Sequence, residues 1–211
     1  MDNFDKYTAY TKVHNWEAIC KLNNVKIDSF GTKKELKVLP NFLEPDEVVF
    51  ALTSGIMAQT DTSNSFDFGT NTWLVVLTSD RFLFLDSAML TSSVDSQSIR
   101  HDRVQAVSAS QGFMLGKITV DLGSRVLVID NCQKATVSVI ADLANKWLKE
   151  LGDKENKSQV ISVASIFDKL EQLEKLHSMD ALSDEEFKTA KVKLLSSDVF
   201  KTEKEQFLSS L

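Results

Sequence analysis

Three histidines, two cysteines and one His-Asp-Arg run are the residues of this 211-residue chain whose types invite a chemical reading. His101, Asp102 and Arg103 set an acid/base group beside a carboxylate, the raw material of proton transfer. Neighbouring residues on a strand or turn point in different directions, so adjacency alone makes no dyad, and a surface turn is expected there. Cys20 as a nucleophile needs a nearby base and an electropositive pocket, and the sequence points to neither. It is expected to be a packed thiol on an apolar helix face, as is Cys132 at a junction of strand and helix. The two cysteines lie far apart with no CxxC partner, which argues against a disulfide framework and a zinc knuckle and for reduced, cytoplasmic thiols. His14, His101 and His177 lack metal-ligand spacing, and neither GxxxxGK[ST] nor GxGxxG occurs. No catalytic residue, cofactor or metal is therefore expected. The chain reads as a non-enzymatic binding protein, with a hydrolase using Cys20 or His101 as an alternative.

Charge narrows the partners. The net charge is −6, which repels nucleic acid and anionic lipid unless cations are gathered locally. Residues 1–37 carry 7 Lys/Arg against 5 Asp/Glu, residues 38–150 carry 8 against 13, and residues 151–211 carry 9 against 12. Only the first segment is basic. A peripheral lipid-binding module using Lys6, Lys12, Lys21 and Lys26 is thus a second alternative. The beginning, MDNFDKYTAY, lacks the basic flank and apolar run of a signal peptide, and no stretch approaches the ~20 apolar residues of a membrane span. A cytoplasmic location without a membrane or nucleic-acid partner is expected.

The elements that would position these residues fall into blocks. Residues 7–23 predict one amphipathic helix, with Ala9, Val13, Trp16 and Cys20 on its apolar face. Pro40 and Pro45, the two prolines of the chain, mark the entry to the main domain. From 48 to 131, runs of Val, Ile, Phe and Leu are punctuated by Gly, Ser, Asn and Asp, predicting strands at 48–57, 73–78, 81–86, 91–99, 104–111, 116–122 and 125–130. The short polar turns at 78–81 and 122–125 suit antiparallel hairpins, and strands without intervening helices exclude a doubly wound sheet. Gly112 and Gly116 have GxxxG spacing, but flanking Gln111 and Lys117 rule out a membrane helix, and a tight turn is expected. A helical pattern over 133–151 should end at Gly152.

The remainder is helical. Residues 152–160, GDKENKSQV, are polar and charged and predict a linker. Val163, Ile166, Leu170, Leu173 and His177 then draw a narrow seam along one helix face, with Leu176 just off it. Ser183 and Glu186 form a capping box, and Leu182 and Phe187 hold the positions of a hydrophobic staple, so a second helix should start at Asp184. Phe187, Ala190, Leu194 and Leu195 would close a hairpin against the seam. So small a unit buries little and calls for a partner. Residues 197–211, with Phe200 and Phe207, predict a tail or short helix.

Two resemblances follow from these residues. The stretch from Leu39 to Leu151 resembles the bacterial pleckstrin-homology-like domains, through Leu39-Pro40, Glu47-Val48-Val49, VLTSDRFLFLD (76–86), Ile99 to Val104 and GFMLGKITV (112–120). The stretch IFDKLEQLEKLHSMDALSDEEFKTAKVKLL (166–195) is similar to the short C-terminal helical module called SHOCT. The resemblance implies an α+β fold: a bent antiparallel β barrel or sandwich capped by a helix, with an N-terminal helix and a C-terminal helical hairpin. The parts are an N-terminal helical segment (1–38), the pleckstrin-homology-like domain (39–151), the linker (152–162), the SHOCT-like hairpin (163–196) and the tail (197–211). Both families imply binding and oligomerisation, and neither supplies catalytic residues. Eukaryotic relatives hold inositol phosphates through Lys and Arg after the first strand. Here no Lys or Arg lies between Lys37 and Arg81, while Asp61 and Asp67 do, so that site is not expected. What is expected is a homo-oligomer that binds an unidentified protein partner in a bacterial or phage setting. Its interface would draw on Ile166, Leu170, Leu173, Leu176, Phe187, Leu194, Phe200 and Phe207.

Overall fold

Short apolar runs separated by tight polar turns drive the middle of the chain into antiparallel strands. The computed structural model describes residues 1–60, 71–87, 94–179 and 181–195, with the backbone alone described for 58–60 and 155–167. The strands are β1 (Val49–Thr60), β2 (Thr72–Thr78), β3 (Arg81–Ser87), β4 (Val94–Arg100), β5 (Ala106–Gln111), β6 (Leu115–Asp121) and β7 (Val126–Gln133). All seven expected strands form, with ends displaced by no more than three residues. They make one sheet in the order β4-β3-β2-β1-β7-β6-β5.

The long strand β1 is shared: Val49 to Ile56 pairs with β2, and Ile56 to Thr60 pairs with β7. Gly55 sits at the hand-over, where a Cβ would lie 2.6 Å from Ile129 and 2.7 Å from the Cys132 sulfur, so only glycine lets the strands approach. The outer strands β4 and β5 do not pair, so the bent antiparallel sheet stays open rather than closing into a barrel. Asp95, Ser96, Gln97 and Ser98 make β4 polar and exposed, leaving little for β5 to seal against.

Strands β2 and β3 are buried on both faces, so the sheet needs two covering layers. One comes from the N-terminal segment. The single helix expected over 7–23 is instead two, α1 (Phe4–Lys12) and α2 (Trp16–Leu22), followed by α3 (Lys33–Val38). The break falls at His14, which takes a left-handed backbone (φ 53°), and Asn15 restarts the chain by accepting the Ala18 N–H at 3.0 Å. The buried face also changes: Tyr7 and Thr11 point inward, whereas Ala9 and Val13 are exposed. Phe4 and Tyr7 pack around Phe50 of β1 at 5.9 and 5.5 Å between ring centres, and Trp147 joins them at 5.1 Å from Phe50.

Trp147 belongs to α4 (Lys134–Ser178), which buries Val137, Ile140, Ala141, Ala144 and Trp147. Gly116 on β6 explains that approach. A Cβ there would meet the Val137 methyls at 2.7 and 2.8 Å, so this glycine serves helix-on-sheet packing rather than the expected turn. The helix does not end at Gly152 but continues through the expected linker to Ser178, 45 residues in all. No proline interrupts it, and one interior glycine costs only about 1 kcal/mol relative to alanine.

The chain divides into two units, Met1–Lys149 and Glu150–Leu211. In the second, α5 (Asp184–Leu195) starts where the capping box predicts. The Ser183 N–H donates to Glu186 Oε2 at 3.0 Å, and the Ser183 hydroxyl donates to the same oxygen at 2.6 Å. The two helical stretches meet through His177, stacked on Phe187 at 4.5 Å with Nε2 at 2.7 Å from Asp184 Oδ1, and through Lys191, 3.5 Å from Glu174.

Candidate binding surfaces

The residues that first invited a chemical reading sit in structural roles. Cys20 and Cys132 are buried, and desolvation, with Asp28 nearby, pushes their thiols up to about 11 and about 12. Neither forms thiolate readily near neutral pH. His101 is not on the surface, contrary to expectation. It opens a 3-10 turn (His101–Arg103) and is buried, with Nε2 donating to the Thr78 carbonyl at 2.8 Å and its ring edge-on to Phe82. Its Nδ1 has no hydrogen-bond partner, and burial holds the imidazole below its ordinary pKa despite the carboxylates around it. The ring's partners explain the miss: Phe82 and the Thr78 carbonyl, both distant in sequence, hold the imidazole inside. Asp102 faces outward and pairs loosely with Arg100 at 3.8 Å. No group of His, Cys, Asp and Glu suited to a metal occurs among the described residues.

The charged residues that are buried serve architecture. Glu47, just before β1, takes Arg81 Nε at 3.0 Å on one oxygen and an Arg81 terminal nitrogen at 2.9 Å on the other. It also accepts the Thr78 hydroxyl at 2.6 Å and the Glu44 N–H at 2.9 Å, while Arg81 reaches the Phe42 carbonyl at 2.8 Å. Burial alone would raise the Glu47 pKa, but the hydrogen bonds from Arg81, Thr78 and Glu44 and the charge of Arg81 hold it below the ordinary value. Asp28 likewise gathers the Ser54 N–H at 3.0 Å and the Ser54 hydroxyl at 2.6 Å, fastening the loop after α2 to β1.

Exposed features carry more promise for binding. At the β5–β6 tip, Phe113, Met114 and Leu115 are 98%, 77% and 47% exposed, an apolar knuckle that the sequence reading passed over as a turn. The two sheet edges differ. On β5, the Asn145 side chain donates to the Val107 carbonyl at 2.6 Å and accepts the Val107 N–H at 3.1 Å, standing in for a missing strand. No comparable side chain is recorded along β4 among the described residues. Lys6, Lys12, Lys21 and Lys26 are exposed, but Lys21 lies 3.8 Å from Glu17, and Asp2 and Asp5 share the same helical region.

The expected interface residues lie in the second unit. Leu170, Leu173, Phe187 and Leu194 are half-buried, and Leu176 is exposed beside exposed Met179 and Val192. No residue of α5 is fully buried. The Ile166 side chain, the tail residues Phe200 and Phe207, and Asp61 and Asp67 of the loop after β1 lie outside the described residues.

An open seven-stranded antiparallel sheet with helices at both ends is a pleckstrin-homology-like fold, a common scaffold for protein or lipid binding. A family model described as Bacterial PH domain matches residues 43–146, ending short of the stretch that resembles SHOCT. Among solved structures, the Vps36 N-terminal PH domain is 15% identical, covering 52% of this chain and 84% of its own at a TM-score of 0.40. A DUF1696 family protein with a pleckstrin-homology domain from Shewanella loihica PV-4 is 14% identical, covering 56% and 89% at a TM-score of 0.35. A pleckstrin homology domain from Shewanella amazonensis SB2B is 19% identical, covering 46% and 80% at 0.27. No curated protein matches the sequence. No described helix is long and apolar enough to cross a membrane.

Proposed function

We propose that the chain is a non-enzymatic scaffold of the bacterial or phage cytoplasm that self-associates through its C-terminal helical pair and holds a protein partner on its sheet domain. The observation that carries this is the state of α5, which has an apolar side in Phe187, Ala190 and Leu194 yet no fully buried residue. A second copy packed on that side would complete the burial, and a two-helix unit of this size needs such help to be stable. Leu176, Met179 and Val192 add exposed apolar surface to the same unit. This is the behaviour expected of a SHOCT-like oligomerisation element, and tethering several sheet domains would raise their avidity for a common partner.

Light scattering on the full chain tests the assembly. The wild type should show a multiple of the monomer mass, and Leu170→Gln with Leu173→Gln should lower it while the sheet domain keeps its circular dichroism. A monomeric wild type, or a mass unchanged by the double substitution, would sink the proposal.

A further inference from the structure

The sequence holds four arginines among its 24 basic residues, so lysine outnumbers arginine five to one. Arg81 is spent on Glu47. The other three, Arg100, Arg103 and Arg125, line a single cavity of about 780 Å³ together with Ser98, Ile99, Leu122 and Ser124. Among the described residues, no lysine, aspartate or glutamate belongs to that lining. In a chain of net charge −6, three arginines thus share one cavity whose described wall holds no carboxylate.

The backbone under these side chains is held in place. Arg100 precedes and Arg103 ends the 3-10 turn whose first residue, buried His101, is tied to Thr78 by its ring and to the Asp80 carbonyl by its own N–H at 3.2 Å. The following Gln105 N–H bonds the Asp121 carbonyl at 2.8 Å, joining the turn to the end of β6. Arg125 leaves the β6–β7 turn, which is closed by the Leu122 N–H to the Arg125 carbonyl at 3.0 Å and by Gly123 at φ 77°. Asp121 Oδ1 is occupied by the Gly123 N–H at 2.8 Å. The Arg100–Asp102 pair is long, with both side chains largely exposed, and such surface pairs give way easily.

Arginine in place of lysine is a chemical choice. Its planar fork grips phosphate through two parallel hydrogen bonds and loses less order than a lysine ammonium on doing so. The Ser98 and Ser124 hydroxyls add donors, Ile99 and Leu122 offer apolar contact, and the volume is that of a small-molecule site. We infer that this cleft binds a phosphate-bearing anion of two or more negative charges, either as a soluble phosphorylated molecule or as a lipid phosphate headgroup. No residue of the C-terminal helices proposed for assembly belongs to the lining, and the inference goes beyond that proposal.

Isothermal titration of the full chain with inorganic pyrophosphate, alongside sedimentation with phosphatidylcholine vesicles with and without phosphatidic acid, tests the cleft and separates the two sources. Binding of pyrophosphate points to a soluble ligand, and binding of the phosphatidic acid vesicles alone points to a headgroup; either supports the site. Arg103→Gln and Arg125→Gln should each weaken the interaction about tenfold or more, since each removes charge-assisted hydrogen bonds. Arg125→Lys, which keeps the charge but not the fork, should restore only part. Lys33→Gln with Lys34→Gln, away from the cleft, should leave binding unchanged. Absence of binding to both probes, binding undiminished in the Arg100/Arg103/Arg125 triple glutamine variant, or equal loss in the lysine control would overturn the inference.

Discussion

Glu47 and Arg81 show how far a single side chain reaches. The Glu47 carboxylate is buried and fully satisfied, so the pair is tolerated because every lone pair facing the interior has a donor. Removing one partner leaves the other uncompensated. Arg81→Ala should therefore cost about 3 kcal/mol or more, read as a fall in the urea midpoint with little change in slope. Both residues lie in stretches that carry the family resemblance, Glu47-Val48-Val49 and the hairpin VLTSDRFLFLD. Their contact spans 34 positions, and no local pattern announces it. His101 illustrates the converse. Its neighbours Asp102 and Arg103 are exposed, and the polar triplet reads as surface, although the ring lies beneath it.

At the scale of elements, local signals were legible where they depend on neighbours in sequence. The seven strands follow from alternating composition and turn residues, and the start of α5 follows from Ser183 and Glu186. Breaks and continuations were less legible. His14 and Asn15 divide the N-terminal helix because Asn15 caps better than it propagates, and α4 passes Gly152 because residues on both sides favour helix. The open sheet was not legible either, since closure depends on whether β4 and β5 meet across the domain. The fit of α4 on the sheet supplies a test. Gly116→Ala pushes a methyl into Val137 and should cost about 1–3 kcal/mol, visible as a drop in Tm. Trimming the opposing side chain with Val137→Ala in the same chain should recover part of that loss, whereas a glycine needed for its backbone conformation would show no such recovery.

For the molecule as a whole, pH gathers two of these features. Burial lowers the His101 pKa, so its contribution is fully present above the unfolded value of about 6.5 and is lost as pH falls through the folded value. Glu47, also lowered, adds a loss that begins near its unfolded value of about 4.3 and grows on further acidification. Thermal melts should show Tm declining in two stages on acidification, and His101→Phe should flatten the first stage alone. A Tm independent of pH between 7 and 5 would contradict the burial of a neutral imidazole. The clasp of Asn145 on β5 has a further consequence. A strand arriving from another molecule at Val107 must displace a competitor tethered to the same chain, present at high effective concentration whatever the protein concentration. Crowding therefore favours sheet growth from β5 only after that amide lets go, and Asn145→Ala would remove the competitor and turn a concentration-independent safeguard into a concentration-dependent risk.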